Sequence, residues 1–242
     1  MPAALRIVTF NIEYAKRMPP AIEALRGHPD LRDADLLMLQ EMDGPSVEAV
    51  AAALSLNYAY FPASRHPGTG RDVGNAVLTP WPIEAEWKVP LPHKSRILSQ
   101  ARAAVGARVR IGAHTVRVYS VHFGSPLGIS GSQRRWQART LLDDAGSDGG
   151  PVVIAGDLNS HGLGGAFAAA GYRWPTEKVG GTRGSFSFDH VFARGLGAGK
   201  FQAGVARDVE ASDHWPVWVL LPFATSSSPP PDPAPSTPRP PA

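Results

Sequence analysis

Pro151-Val152-Val153-Ile154-Ala155-Gly156-Asp157-Leu158-Asn159 decides how the rest of the chain is read. An apolar run of this length fits a β-strand covered on both faces, yet it stops on an acid and an amide. Ser212-Asp213-His214-Trp215-Pro216-Val217-Trp218-Val219-Leu220-Leu221 does the reverse, leading from an acid and an imidazole into an apolar strand. Open α/β folds place their chemistry at the ends of such strands.

Outward from these two segments, strands and helices alternate. Residues 5–12 and 36–40 read as strands, the second ending at Glu41, with a short helix over 21–26 between them. An Ala-rich helix is expected over 46–54, with Asp43, Pro45 and Ser46 as start signals. Residues 74–79 read as a strand broken off by Pro80-Trp81-Pro82. Residues 101–111 and 115–122 read as antiparallel strands joined at Gly112-Ala113. Residues 132–143 read as a helix that turns Trp136, Leu141 and Leu142 inward. The second half keeps the rhythm, with the strand ending at Asp157, a helix near 166–170, and strands at 187–193, 200–206 and 215–221. The glycine-rich Gly195-Leu196-Gly197-Ala198-Gly199 lacks the spacing of a dinucleotide fingerprint and reads as a turn. Two halves with one rhythm suggest two mixed β-sheets packed face to face with helices on the outer faces, a four-layer α/β sandwich.

Composition sets the limits. Of 242 residues, 43% are hydrophobic and 19% charged, as in an ordinary globular protein. With no cysteine, disulfides, thiolate zinc sites and cysteine nucleophiles are excluded. No apolar run is long enough to span a bilayer and no leader is visible, so a cytoplasmic location and a monomer are expected. One domain is expected over 1–223. Beyond it, Ser, Pro, Ala and Thr dominate residues 224–242, a composition expected to be disordered. Net charge is only +3, but the stretch 61–120 carries Arg65, Arg71, Lys88, Lys94, Arg96, Arg102, Arg108, Arg110 and Arg117 against Asp72, Glu84 and Glu86. A phosphate-facing rim and an ordinary solvated surface both fit that excess.

Six polar clusters fall at strand ends: Asn11, Glu41, His122, Asp157 with Asn159, Asp189 with His190, and Asp213 with His214. Singly, each has a structural explanation, such as a turn, a helix cap or a hydrogen-bonded core imidazole. Together they form a set of carboxylates, amides and imidazoles. Oxygen-rich sets of this kind select hard divalent ions, Mg²⁺ above all, with Mn²⁺ as a substitute. No HExxH, GxxxxGK[ST] or GxSxG sequence is present, so a zincin, a P-loop and a serine elbow are not supported.

The motifs Thr9-Phe10-Asn11, Leu39-Gln40-Glu41, Gly74-Asn75-Ala76, Val121-His122, Gly156-Asp157-Leu158-Asn159, Phe188-Asp189-His190-Val191-Phe192 and Ser212-Asp213-His214-Trp215-Pro216-Val217 occur in order. In this the chain resembles the endonuclease/exonuclease/phosphatase superfamily, the fold of DNase I, exonuclease III and neutral sphingomyelinase, over residues 5–222. The resemblance implies a Mg²⁺-dependent phosphoester hydrolase. Glu41 would be the main metal ligand, with Asn11 beside it and Asp213 near the same ion. Asp189 would orient His214, and Asp157 with Asn159 would orient the attacking water, His214 and Asp157 competing for the base role. His122 would contact the phosphate or leaving group, and Asn75 and Arg102 would position the phosphate. Gln100 stands where many relatives carry Glu, which leaves Arg96 a rival to Arg102. Nucleic acid is the favoured substrate class, with Arg65, Arg71, Lys88, Lys94 and Arg96 able to track a backbone and Trp81 and Trp87 able to stack on bases. A phospholipid or small nucleotide is the alternative substrate. A non-catalytic phosphate-binding module on the same fold is the alternative function.

Overall fold

The computed structural model of the chain describes residues 2–146, 149–197 and 199–223. The Ser/Pro-rich tail and Ala198 of the glycine-rich turn lie outside the described residues. The element order is β1 (Ala4–Asn11), α1 (Met18–Gly27), β2 (Leu36–Met42), α2 (Gly44–Leu54), β3 (Asn57–Arg65), β4 (Asp72–Thr79), β5 (Ile83–Leu91), β6 (Arg102–Ile111), β7 (His114–His122), α3 (Gly131–Ala145), β8 (Val152–Asp157), α4 (Gly164–Ala169), β9 (Asp189–Arg194), β10 (Gln202–Val205) and β11 (Val217–Pro222). One sheet has the order β10-β11-β1-β2-β4-β3 and the other β5-β6-β7-β8-β9.

Each sheet contains one parallel pair, β1 with β2 and β7 with β8, and every other pairing is antiparallel. Parallel pairing requires a crossover helix, which α1 and α3 supply. This mixture of directions positions the site. The parallel strands finish at Asn11, just past Glu41, at His122 and at Asp157. Their antiparallel neighbours β6, β9 and β11 begin near the same pole, with Asp157 opposite Asp189 and Thr9 opposite Val217. Segments scattered over the whole chain therefore deliver their polar ends to one place.

The packing has four layers. Alternate residues of the strands, among them Leu5, Ile7, Met38, Val105, Val118 and Val153, form the hydrocarbon core between the sheets. The opposite faces carry Val8, Phe10, Leu37 and Leu39 against Ala21, Leu25, Val47 and Val50 of α1 and α2. On the other side Tyr119, Val121 and Ile154 meet Ala138, Leu141 and Phe167 of α3 and α4. The inward rows turn polar toward the site: Ile7 is followed by Thr9 and Asn11, Met38 by Gln40, and Val118 by Ser120 and His122. Thr9 Oγ1 donates to Gln40 Oε1 (3.2 Å), and Gln40 Nε2 donates across the sheets to Ser120 Oγ (3.1 Å). Buried polar groups are tolerated when they satisfy one another in this way.

Two strands escaped the sequence reading. β3 and β5 are the edge strands of their sheets. They carry Pro62 and Pro90, which edges tolerate, and β5 alternates charged with apolar residues, as exposed edges do. Trp136 was expected inward, but it is exposed. The buried face of α3 is Gln137, Ala138, Leu141 and Ala145, and Trp136 lies off that stripe, its ring 5.2 Å from that of His93. α3 starts on a capping box formed by Ser130 and Gln133, and α2 on Asp43, whose Oδ1 accepts from Ser46 N (2.9 Å). No helix among the described residues is long and apolar enough to cross a membrane.

Candidate active site

Asn11, Glu41, Arg102, His122, Asp157, Asn159, Asp213 and His214 line one cleft of about 240 Å³ at the polar pole of the sheets. Eight of the ten residues singled out from sequence thus meet there. Asp189 lies directly behind, bonded to His214. Asn75 does not line the cleft; its Nδ2 donates to Ala103 O of the other sheet (2.7 Å). Arg96 is exposed and lies outside the lining, so Arg102 is the arginine that reaches the cleft.

Local backbone geometry aims the side chains. Glu41 has φ 58°, and the β2–β4 register shifts around it, between Gln40 and Met42. It is a bulge residue in a conformation that L-residues seldom adopt, and such bulges re-aim side chains beside active sites. Glu13, Tyr14 and Ala15 follow β1 with φ values of 40°, 55° and 53°. This left-handed turn brings Tyr14 N to Glu41 Oε2 (3.1 Å) and Glu13 N to Asn11 Oδ1 (3.1 Å). Gly156 has φ 153°, and a Cβ there would stand 1.9 Å from Val121 O. Only glycine allows β8 to come so close to β7 and leave Asp157 beside His122.

Asp157 is the hub. Its Oδ1 accepts from Asn159 N (2.8 Å), the Asx-turn that its sequence context permits. Its Oδ2 accepts from Asn11 Nδ2 (3.0 Å) and lies 3.4 Å from His122 Nε2 and 3.8 Å from His214 Nε2. Burial, and then the charge of Asp189, push its carboxyl above the ordinary value. His122 is fully enclosed, and burial followed by the Arg102, His214 and Arg183 charges holds its imidazole neutral.

His214 Nδ1 lies 2.8 Å from Asp189 Oδ2, which also accepts from Thr182 Oγ1 (2.6 Å). Burial alone would lower the imidazole, but the Asp189 charge and hydrogen bond outweigh it and push it up to about 9. Asp189 is held below its ordinary value, because the His214 charge and hydrogen bond outweigh burial. The pair leaves His214 Nε2 toward the cleft.

Glu41 is the carboxylate that lacks a strong counter-charge. Burial raises it, with Arg102 and His214 only partly compensating. Among the described residues it pairs with no Lys or Arg, and its nearest imidazole nitrogen is His122 Nδ1 at 3.9 Å. Together with the Asn11 amide and the Asp213 carboxylate it offers oxygen donors that fit a divalent ion. Asp157, Asp189 and His214 also place ligand atoms within 4.8 Å of one another, but there the Asp189–His214 bond already engages two of the three.

Four participants were not anticipated: Tyr14, Ser125, Thr182 and Arg183. Arg183 pairs with Asp213, and Ser125 lines the cleft. The polar, glycine-rich Gly180-Gly181-Thr182-Arg183-Gly184-Ser185 was the available signal for two of them. The cations expected to track a nucleic-acid backbone are largely engaged elsewhere: Arg65 with Asp72, Arg71 with Asp43, and Lys88 Nζ with Pro62 O. Trp81 and Trp87 donate to Asp35 and Asp144 from within the packing.

The sequence profile described as Endonuclease/Exonuclease/phosphatase family matches residues 8–214. An endonuclease/exonuclease/phosphatase from Beutenbergia cavernae superposes with TM-score 0.75 at 20% identity, covering 94% of this chain and 74% of that one. A family protein from Bacteroides thetaiotaomicron gives 0.71 at 20%, covering 93% and 99%. Sphingomyelinase C from Streptomyces griseocarneus gives 0.70 at 17%, covering 91% and 100%. At these identities the superpositions speak for the fold. No curated protein matches by sequence.

Proposed function

The chain belongs to the endonuclease/exonuclease/phosphatase family of phosphoester-hydrolysing enzymes, and from that premise we propose that it is a Mg²⁺-dependent phosphodiester hydrolase. The observation that carries this is the convergence, from both sheets, of Asn11, Glu41 and Asp213 with His122, Asp157 and His214 in one small cleft. When bound, Mg²⁺ neutralises phosphate charge and polarises the P–O bond; Glu41, Asn11 and Asp213 are the residues to hold it. Asp157, raised by burial and aligned by Asn11 and Asn159, takes the proton from the attacking water. His214, kept protonated and oriented by Asp189, offers its Nε2 proton to the phosphate or the leaving oxygen. His122 and Arg102 complete the phosphate contacts. In balance, a water oxygen bonds to phosphorus, the ester P–O bond breaks, one proton moves to Asp157 and one leaves His214.

The test is hydrolysis of bis-p-nitrophenyl phosphate by the purified full chain with Mg²⁺ or Mn²⁺, beside a panel of supercoiled plasmid, abasic duplex, a cyclic dinucleotide and sphingomyelin. Metal-dependent release of nitrophenol is expected. A chain inert toward every member, with the metal bound, would leave a phosphate-binding module. The nuclease reading rests on Arg102 and Arg183, which line the cleft, and on the exposed Lys94 and Arg96 of the loop that reaches it through Leu98.

A further inference from the structure

Seven large hydrophobic side chains are exposed among the described residues, and five of them lie on the loops and the helix that flank the cleft: Ile97 (66%), Leu98 (45%), Leu127 (84%), Trp136 (61%) and Phe186 (61%). The other two, Tyr58 and Phe201, sit at the opposite pole, where β3 starts and just before β10. The five come from four neighbouring segments. The loop 92–101 touches the loop 123–130 through Arg96 N donating to Gly128 O (2.9 Å). Gln137 of α3 fastens both, accepting from Gly124 N (2.9 Å) and donating to Pro92 O (2.7 Å). Leu98 lines the catalytic cleft itself. Leu127 and Phe186 wall a second hollow of about 620 Å³, which shares Ser125, Asn159 and Arg183 with that cleft. Phe186 stacks on Phe188 with ring centroids 5.2 Å apart, and both line the hollow.

A contiguous exposed apolar rim marks an interaction surface. Whatever covers this rim lies beside the cleft that receives the phosphoester. A protein partner seated there would close the cleft, and a nucleic-acid backbone brings phosphates with no aliphatic surface to match Ile97, Leu98 and Leu127. A phospholipid surface brings both at once. Lys94 and Arg96 are exposed on the same loop as Ile97, and among the described residues neither is in an ion pair; cations so placed favour anionic lipid surfaces. An exposed Trp beside them suits the boundary between headgroups and chains. We infer that this pole docks on a phospholipid bilayer, and that the enzyme's substrate is a phospholipid whose phosphodiester enters the cleft while its apolar part enters the Leu127–Phe186 hollow. This rests on the catalytic assignment above and names its substrate class.

Co-sedimentation of the full chain with phosphatidylcholine/phosphatidylserine vesicles tests the docking. Wild type is expected in the pellet, and Ile97→Ser/Leu127→Ser should bind on the order of 100-fold more weakly, since two aliphatic side chains no longer leave water. The ratio of kcat/KM for a vesicle-borne phosphodiester to that for bis-p-nitrophenyl phosphate should fall with it. Thermal melting of the double variant separates a folding defect from a docking defect, and Lys94→Glu/Arg96→Glu, with no apolar change, should also weaken binding. Wild type left in the supernatant, or a double variant that pellets equally, overturns the inference. So does a higher kcat/KM for plasmid or abasic duplex than for the vesicle-borne ester. Failure to hydrolyse any member of the panel, the vesicle-borne ester included, overturns the catalytic reading instead, and leaves the sedimentation measurement to stand or fall alone.

Discussion

The two sheets bring different chemistry to the same cleft. The six-stranded sheet and the segment entering its β11 carry Asn11, Glu41, Asp213 and His214, while the five-stranded sheet carries His122, Asp157 and Asp189, with Asn159 two residues beyond β8. Glu41 and Asn11 thus stand on one side with the Arg183-paired Asp213, and the buried Asp157 with its hydrogen-bonding companion Asn159 stands on the other. The hydrogen bonds Asn11 to Asp157 and His214 to Asp189 cross between them. Behind these lies a second tier of crossings, Gln40 to Ser120 and Asn75 to Ala103, and behind that the hydrocarbon core. The grouping of these polar residues is therefore a property of how the sheets dock, and neither sheet holds it alone.

Removing the ion should separate the two sides most sharply. Chelation with EDTA is expected to abolish turnover, and added Mg²⁺ to restore it. Glu41→Gln should raise the metal concentration for half-maximal rate by at least the roughly 10–100-fold typical even of residues one step behind a ligand, with the melting temperature little changed. An unaltered metal titration would take Glu41 out of the site.

The bond crossing from His214 to Asp189 comes next. His214→Ala and Asp189→Asn should each lower kcat by about 10²–10⁴, the range of general acid–base catalysis. Because the two act as one unit, the double variant should be little slower than His214→Ala alone. Multiplicative losses would show that Asp189 serves only the strand that it begins. Asp157→Asn should cost at least as much and remove the acidic limb of the pH–rate profile; retention of that limb would return the base role to His214.

The same pair should appear in stability. His214 is raised from 6.5 to about 9 in the folded chain, so its contribution is complete below pH 6.5 and is lost as pH rises through 9. Asp157, also raised, loses stability in the same direction in its own lower window. In EDTA the melting temperature should fall by several degrees across the His214 window, at about 2–4 °C per kcal/mol for a chain of this size. His214→Gln should flatten that fall; an equally steep curve in the variant would assign it to another group.

Legible in the sequence was the covered strand that ends on a polar residue, because burial on both faces leaves a visible apolar run and its interruption. Asn11, Glu41, His122, Asp157 and Asp213 with His214 all lie at such ends. The edge strands β3 and β5 write no such signal, since their outer edges face solvent and tolerate Pro62 and Pro90. Nor does sequence reveal a conformation chosen by tertiary context. The left-handed Glu13–Ala15 turn and the Glu41 bulge use ordinary residues with φ above zero, joined by the bond from Tyr14 N to Glu41 Oε2 between segments far apart in the chain. Thr182 and Arg183 were hidden for a related reason: they act from a loop whose position is set by the Asp189 and Asp213 they touch.

Asn75 gives the finest test of the contrast between sheets, because its motif suggested phosphate contact while its geometry makes it a clasp. It is buried opposite Gln40 on β4, and its Nδ2 donates to Ala103 O on the other sheet. Asn75→Ala leaves that carbonyl buried with one donor fewer, a loss of about 1–3 kcal/mol. If the clasp is its whole role, the melting temperature should drop by a few degrees while KM for bis-p-nitrophenyl phosphate stays within about twofold, since uniform binding is what KM reports when kcat is unchanged. Asn75→Asp keeps the shape but replaces the donor with an acceptor facing a carbonyl, and should be the less stable of the two. A normal melting temperature with a large rise in KM would move Asn75 into the phosphate site.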